Sequence, residues 1–162
     1  MSYRVGNGFD IHRLVSGRPL FLGGIEIAHD KGLAGHSDGD CVVHALIEAL
    51  LGAAGLPDIG SLYPPEDPSI AGISSLKMLD RVHELVGDKG WQIENADISV
   101  ICEQPKLKPH YQKMRQTLSS CLNLTYEQIN FKARTAEKLG PIGEGEAIAA
   151  ICTALLKSKD QA

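Results

Sequence analysis

Leu20-Phe21-Leu22-Gly23-Gly24-Ile25-Glu26-Ile27 reads as a β-hairpin, because two short apolar runs flank a Gly-Gly pair. A primed two-residue turn needs positive φ, which glycine adopts without steric cost. C-terminal to it, Asp38 or Asp40 can cap a helix in which Val42, Val43, Leu46, Ala49, Leu50 and Ala53 form one apolar stripe. That helix stops near Gly55-Leu56-Pro57. N-terminal to the hairpin, residues 3–12 carry Tyr3, Val5, Phe9 and Ile11 between small or polar residues, a strand pattern loosened by Gly6 and Gly8.

Farther along, residues 58–73 are rich in Pro, Gly and Asp and read as an irregular loop of functional length. Ser74 or Ser75 caps a second helix through Leu76, Leu79, Val82, Leu85 and Val86, ended by Gly87 or Gly90. Trp91 to Cys102 passes from alternation into an apolar run at Ile98, Val100 and Ile101, as a strand with buried faces does. A third helix runs from about Pro109 to Leu122, and Ile129 to Arg134 is a short strand. Ala147 to Leu156 fits either state: its alanines suit helix, while Ile148, Ile151 and Thr153 suit a buried strand. Helices and strands alternating around a hairpin predict an α+β or α/β two-layer sandwich.

The chain has 162 residues, which predicts a single domain over 1–162. A core of that size needs no disulfide staples. Charged residues at 22% and hydrophobic residues at 43% exclude the disordered and collagen-like classes. A net charge of −4 offers no basic field for nucleic acid, so a polyanionic substrate needs locally placed cations or bound metals. Cys41, Cys102, Cys121 and Cys152 sit among apolar neighbours with no Cys-x-x-Cys pair, the pattern of buried free thiols in a reducing compartment. A thiol nucleophile or a cysteine-bound zinc is the other reading. No basic-then-apolar leader and no window near ~18 apolar residues is present, which predicts a cytoplasmic protein with no membrane partner.

Asp10-Ile11-His12 is the first chemical signal. Strand positions i and i+2 share a face, roughly 6.5–7 Å apart along the chain. Carboxylate and imidazole therefore converge while Ile11 is expected to face the core; an incidental surface pair is the alternative. Gly35-His36-Ser37-Asp38-Gly39-Asp40-Cys41-Val42-Val43-His44 then packs two His, two Asp and a hydroxyl into one loop-to-helix junction. Asp40, His44 and Glu48 follow one another by single helical turns and are expected to share a face. A buried His44 could instead bond a backbone carbonyl. Asp10, His12 and His44 would leave a fourth position open on a zinc-like ion, as catalytic sites require. His36, ahead of the helix, is better placed for substrate.

Asp58-Ile59-Gly60 is either an ordinary Asp turn or a carboxylate for sugar hydroxyls. Glu103-Gln104-Pro105-Lys106-Leu107-Lys108-Pro109 and Ala133-Arg134-Thr135-Ala136-Glu137-Lys138-Leu139-Gly140 each follow a strand, where open sheets commonly bind ligands. Lys106, Thr135 and Glu137 suit a diphosphate as cation, hydroxyl donor and carboxylate for a second ion; solvated surface is the alternative. No Walker or Rossmann glycine pattern occurs.

Gly8-Phe9-Asp10-Ile11-His12, Gly35 to Asp40 with His44, Asp58-Ile59-Gly60 and Thr135-Ala136-Glu137-Lys138-Leu139-Gly140 together resemble the 2-C-methyl-D-erythritol 2,4-cyclodiphosphate synthase family over nearly the whole chain. The resemblance implies an α+β two-layer sandwich, a mixed sheet with helices on one face, with the last segment a strand. It implies a homotrimer with active sites between subunits. Zinc would be held by Asp10, His12 and His44, and a second ion, Mg2+ or Mn2+, by Glu137. His36 and Ser37 would contact the erythritol phosphate, and Asp58, Ile59 and Gly60, with Tyr63 and Asp67, the sugar side. A neighbouring subunit would supply the cytidine pocket from Cys102, Pro105, Lys106, Leu107, Lys108, Ala133, Arg134, Thr135, Ala136 and Glu137. His36 and Thr135 would be catalytic.

The implied reaction is that of a phosphorus–oxygen lyase, turning 4-diphosphocytidyl-2-C-methyl-D-erythritol 2-phosphate into the cyclic diphosphate plus CMP in non-mevalonate isoprenoid synthesis. The compartment would be cytoplasm, or plastid stroma after loss of a transit peptide. Pro65 stands where an acidic residue is common in the family, and Glu48 where Asp is familiar. Pro141 and Glu144 stand where some members carry an aromatic and an arginine that bind an isoprenoid diphosphate near the trimer axis; Glu144 would repel that anion. The rival readings are a zinc-dependent phosphohydrolase of a nucleotide-linked substrate, and a non-catalytic trimeric nucleotide-binding module with a structural metal.

Overall fold

The computed structural model describes residues 1–64 and 66–159, so the departure at Pro65 lies outside the described residues. Strand β1 (Tyr3–Ser16) is followed by the short strands β2 (Leu20–Leu22), β3 (Ile25–Ile27) and β4 (Lys31–Leu33). Helices α1 (Cys41–Ala54), α2 (Ile59–Leu62) and α3 (Ser75–Asp88) lead to β5 (Trp91–Ile101). Then come α4 (Tyr111–Cys121), β6 (Ile129–Arg134), the single turn α5 (Gly140–Gly143) and β7 (Ala147–Ser158). The ambiguous last segment is thus a strand.

The main sheet has the order β4-β1-β7-β5-β6, with only β5 and β6 parallel, so it is mixed. β2 and β3 form a separate antiparallel ribbon pairing Leu22 with Ile25 across Gly23 (φ 61) and Gly24 (φ 77), the left-handed turn that the Gly-Gly pair predicts.

α1 lies across β1 and β7 and is buried almost all round. Its close approach explains Gly6 and Gly8: a Cβ on Gly6 would run into the Ala49 carbonyl oxygen, and one on Gly8 into that of Ala45. The two glycines therefore seat the helix on the strand. β7 is buried on both faces over Ala147–Ala150 and then alternates, enclosing Cys152, Ala154 and Leu156, while β5 encloses Ile93, Ala96, Ile98 and Val100. The opposite sheet face leaves Val5, Phe9, Ile11 and Ile151 exposed.

That arrangement corrects two expectations. Ile11 does not face the core but is 46% exposed, because the helical layer covers the Asp10 and His12 side. Likewise β5 is buried on one face only, with Asp97, Ser99 and Ile101 half-buried. The segment 58–73 is also more ordered than a plain loop, holding α2 and a 3-10 turn at Pro68–Ile70. Among the described residues no helix is long and apolar enough to cross a membrane.

Candidate active site

β1 presents Asp10 and His12 on the helix-covered face and α1 presents His44, so one carboxylate and two imidazoles bring ligand atoms within 4.8 Å of one another. Asp10 Oδ2 lies 2.8 Å from His12 Nε2 and 3.0 Å from His44 Nδ1, and those ring nitrogens are 3.3 Å apart. Burial pushes the Asp10 carboxyl up, but hydrogen bonds and charge from both histidines outweigh it and hold the group well below the usual carboxylate range. Burial likewise opposes protonation of His12, and its bond to Asp10 outweighs that, so its pKa rises above the ordinary imidazole value.

The far nitrogen of each ring is also engaged. His12 Nδ1 meets the Ala34 carbonyl oxygen, and His44 Nε2 lies 2.9 Å from Ser75 Oγ and 3.2 Å from Ser37 Oγ. Metal-binding histidines are oriented by such outer partners. The donor set, one carboxylate and two imidazoles so supported, fits a divalent ion of the zinc type.

Asp40 does not share this site, contrary to the helical spacing. Its carboxylate is fully buried as the α1 N-cap, accepting the N–H groups of Val42 and Val43 at 3.1 Å each, and those of Gly23 at 3.0 Å and Gly24 at 2.7 Å. Burial raises its pKa against the opposing pull of those donors. A cap residue precedes the helix proper, so it does not continue the helical face. Asp40 thereby ties the hairpin turn to the helix that carries His44.

A cavity of about 290 Å³ opens beside the triad, lined by Asp10, His12, His36, Ser37, His44, Ile59, Gly60 and Tyr63 among others. Three hydrogen bonds from two side chains shape it. Arg18 donates to the carbonyls of Gly35 (2.9 Å) and Ser37 (2.7 Å), holding the His36 loop, and Glu48 Oε1 accepts the Ile59 N–H at 2.6 Å. Asp58 is not on the wall: it caps α2 by accepting the Ser61 N–H at 2.7 Å and lies exposed. Asp67 is off the wall too, its N–H bonded to the Pro64 carbonyl at 2.9 Å.

A second cavity, about 190 Å³, is lined by Cys102, Pro105, Lys106, Leu107, Lys108, Ala133, Arg134 and Thr135 with Tyr111. The ends of β5 and β6 are therefore brought together. Ala136 and Glu137 stand beside that wall. Thr135 Oγ1 donates to Glu137 Oε1 at 2.7 Å, and Glu103 Oε1 accepts the N–H groups of Ala136 (2.9 Å) and Lys138 (3.2 Å). Glu137 (φ 53) and Lys138 (φ 61) are left-handed, a costly state for such residues that the Glu103 bonds help to hold. Burial, then Glu103, push the Cys102 thiol up to about 12, so it is no thiolate nucleophile.

Glu103, Arg18 and Ser75 escape a sequence reading. A lone carboxylate, guanidinium or hydroxyl has no spacing signature, and Ser75 is visible there only as a helix-cap candidate.

A sequence model of the YgbB family matches residues 3–157. A protein of Acaryochloris marina named 2-C-methyl-D-erythritol 2,4-cyclodiphosphate synthase is 55% identical over 97% of this chain and 98% of its own length. The structure of IspF from Plasmodium falciparum in a CDP complex superposes with a TM-score of 0.87 at 35% identity, covering 98% of each chain. Bifunctional IspDF from Campylobacter jejuni gives a TM-score of 0.95 at 42% identity; this chain covers 43% of that longer protein.

Proposed function

The chain belongs to the YgbB family, with curated relatives named 2-C-methyl-D-erythritol 2,4-cyclodiphosphate synthase, and from that premise we propose that it cyclises 4-diphosphocytidyl-2-C-methyl-D-erythritol 2-phosphate and releases CMP. The observation that carries the reading is the convergence of Asp10, His12 and His44 on the wall of a cavity that also holds His36, Ser37 and Gly60.

Product connectivity dictates the bond changes. An oxygen of the 2-phosphate bonds to the β-phosphorus, and the bond from that phosphorus to the oxygen bridging it to the α-phosphate breaks, leaving CMP. A phosphate monoester with a second pKa of about 6 is mostly dianionic at neutral pH, so no strong general base is required. The barrier lies in bringing one anion onto another. Holding the reacting groups in line can contribute ~7–11 kcal/mol in favourable intramolecular cases.

In this reading Asp10, His12 and His44 hold zinc, and Glu137 with the substrate phosphates holds Mg2+ or Mn2+. Bound there, such ions supply neutralisation of phosphate charge and a template for in-line displacement. His36 and Ser37 orient the erythritol phosphate, with Ile59, Gly60 and Tyr63 packing its sugar side. Asp58 and Asp67, which flank these residues in the chain, would complete the sugar side. Lys106 neutralises phosphate charge, Thr135 donates its hydroxyl to the diphosphate, and Cys102 through Lys108 with Ala133 to Glu137 receive the cytidine end.

Active sites lie between subunits of a homotrimer. The supporting observation is the uncovered sheet face bearing Val5, Phe9, Ile11 and Ile151, an apolar patch of the kind that marks an interface.

The test is turnover of this substrate in water enriched in oxygen-18, followed by phosphorus NMR. Cyclic diphosphate and unlabelled CMP are expected. Labelled phosphate products without a ring would establish the phosphohydrolase instead.

A further inference from the structure

Resting on the reading of Asp10, His12 and His44 as metal ligands, we infer that Asp38 and Ser75 are positioning residues for the metal: a carboxylate–hydroxyl–imidazole relay sets which nitrogen of His44 carries the proton, and so which one faces the ion.

The argument is one of donors and acceptors. Ser75 is fully enclosed, at 0% exposure. Its Oγ hydrogen-bonds Asp38 Oδ1 and stands 2.9 Å from His44 Nε2. An ionised carboxylate only accepts, so the single hydroxyl proton of Ser75 is directed at Asp38. What Ser75 then offers His44 is a lone pair, and Nε2 must carry the hydrogen and donate. A neutral imidazole has one N–H, so Nδ1 keeps its lone pair free. Nδ1 is the nitrogen 3.0 Å from Asp10 Oδ2, on the side where the three ligand atoms converge.

Ser37 does not upset the assignment. Its Oγ, 3.2 Å from the same Nε2, already accepts the Gly39 N–H at 3.2 Å and can serve as a second acceptor. The contrast with His12 is instructive. There Nδ1 meets the Ala34 carbonyl, a pure acceptor, so Nε2 is the nitrogen left for the centre. The two histidines present opposite nitrogens, each set by an outer partner with no proton to give, the Ala34 carbonyl for His12 and Ser75, its proton directed at Asp38, for His44.

A simpler role for Asp38 is helix capping. Ser74, at the N-cap position of α3, makes no side-chain cap bond, and Asp38 Oδ2 accepts the Ser75 N–H at 2.8 Å in its place. Capping accounts for Oδ2. It does not account for a buried hydroxyl placed between Oδ1 and the imidazole. The same carboxylate thus anchors the start of α3 and, through Ser75, a ring on α1. Both partners lie far along the chain from His44 or across a loop from it, so the contact is made only in the folded state.

The experiment uses the full chain freed of metal with a chelator and titrated with zinc against a chromogenic competitor. Ser75→Ala and Asp38→Asn should each weaken zinc binding 10- to 100-fold, the range typical of lost outer partners. The double variant should be little weaker than Ser75→Ala alone, because both act along one path. Asp38 accepts the Ser75 N–H on Oδ2 and the Asp40 N–H at 3.2 Å on Oδ1, and Asn can keep only one of them, so the denaturation midpoint of the metal-free form is measured beside zinc affinity, and the relay predicts that affinity falls in Asp38→Asn protein that is still fully folded. Should Ser75→Ala fail to fold, Asp38→Asn decides alone. Parent-like zinc affinity in Asp38→Asn overturns the relay and leaves a helix cap. A parent chain that binds no zinc, or binds it equally well as His44→Ala, overturns the metal reading itself and the relay with it.

Discussion

Asp40 and His44 stand one helical turn apart, yet one clamps backbone amides and the other joins Asp10 and His12 in a group that could hold a metal. The carboxylate of Asp40 accepts four backbone N–H groups inside the protein, two from α1 and two from the hairpin turn. Asp40→Ala would strip all four, and each buried donor left unpaired costs about 1–3 kcal/mol on top of the lost cap. A loss of at least about 3 kcal/mol is expected in urea unfolding. The triad makes a second prediction at this scale, for the metal-free chain. The Asp10 pKa is lowered, so its contribution is present above the ordinary carboxyl value of 3.8 and lost as pH falls through its folded pKa. His12 is raised, so its contribution is full below 6.5 and lost as pH rises through its folded value. Metal-free stability from this site should therefore peak between those values. Zinc displaces the protons, so the zinc-induced rise in melting temperature should grow from pH 6 to pH 8; a constant rise would contradict the assignment.

At the scale of elements, the site depends on how closely α1 lies on β1. Gly8→Ala places a Cβ against the Ala45 carbonyl oxygen and the Ala49 amide nitrogen, both backbone atoms that cannot rotate away. Overpacking of this kind typically costs 1–3 kcal/mol. Because Asp10 and His12 ride on the same strand, separating it from α1 also pulls them from His44. The expected outcome is a lower melting temperature together with weaker zinc binding, whereas Gly52→Ala, on α1 with nothing within 4 Å of the added carbon, should leave zinc binding unchanged.

At the scale of the whole molecule, one sheet face is covered by helices and the other is not. Ile151→Lys puts a charge on the uncovered face without entering the core. If that face joins the subunits of the proposed homotrimer, the variant should give smaller species than the parent by light scattering while far-ultraviolet circular dichroism stays unchanged; an unaltered mass would place the interface elsewhere. His44→Ala tests the opposite separation. The apolar core does not include the proposed metal ligands, so the variant is expected to lose zinc binding and turnover but keep the fold and the parent's subunit count.

Much of the local structure was legible from spacing. The Gly23-Gly24 turn, the α1 stripe, β6 and the convergence of Asp10 with His12 all follow from dihedral preferences and from periods of 2 and 3.6 residues, which act between chain neighbours. The donor types for a metal were legible for the same reason, together with the motifs that resemble a known family. Which face the helices cover is not, and the pattern alone points Ile11 and both sides of β5 inward: alternation separates two faces without saying which is buried. Nor could spacing reveal that Asp40 turns to the hairpin, that Ser75 meets a ring 31 residues away, or that Glu103 holds a loop 33 residues on. Those contacts join segments far apart in the chain, and only the packing of α1, α3 and the sheet brings their atoms within hydrogen-bond reach.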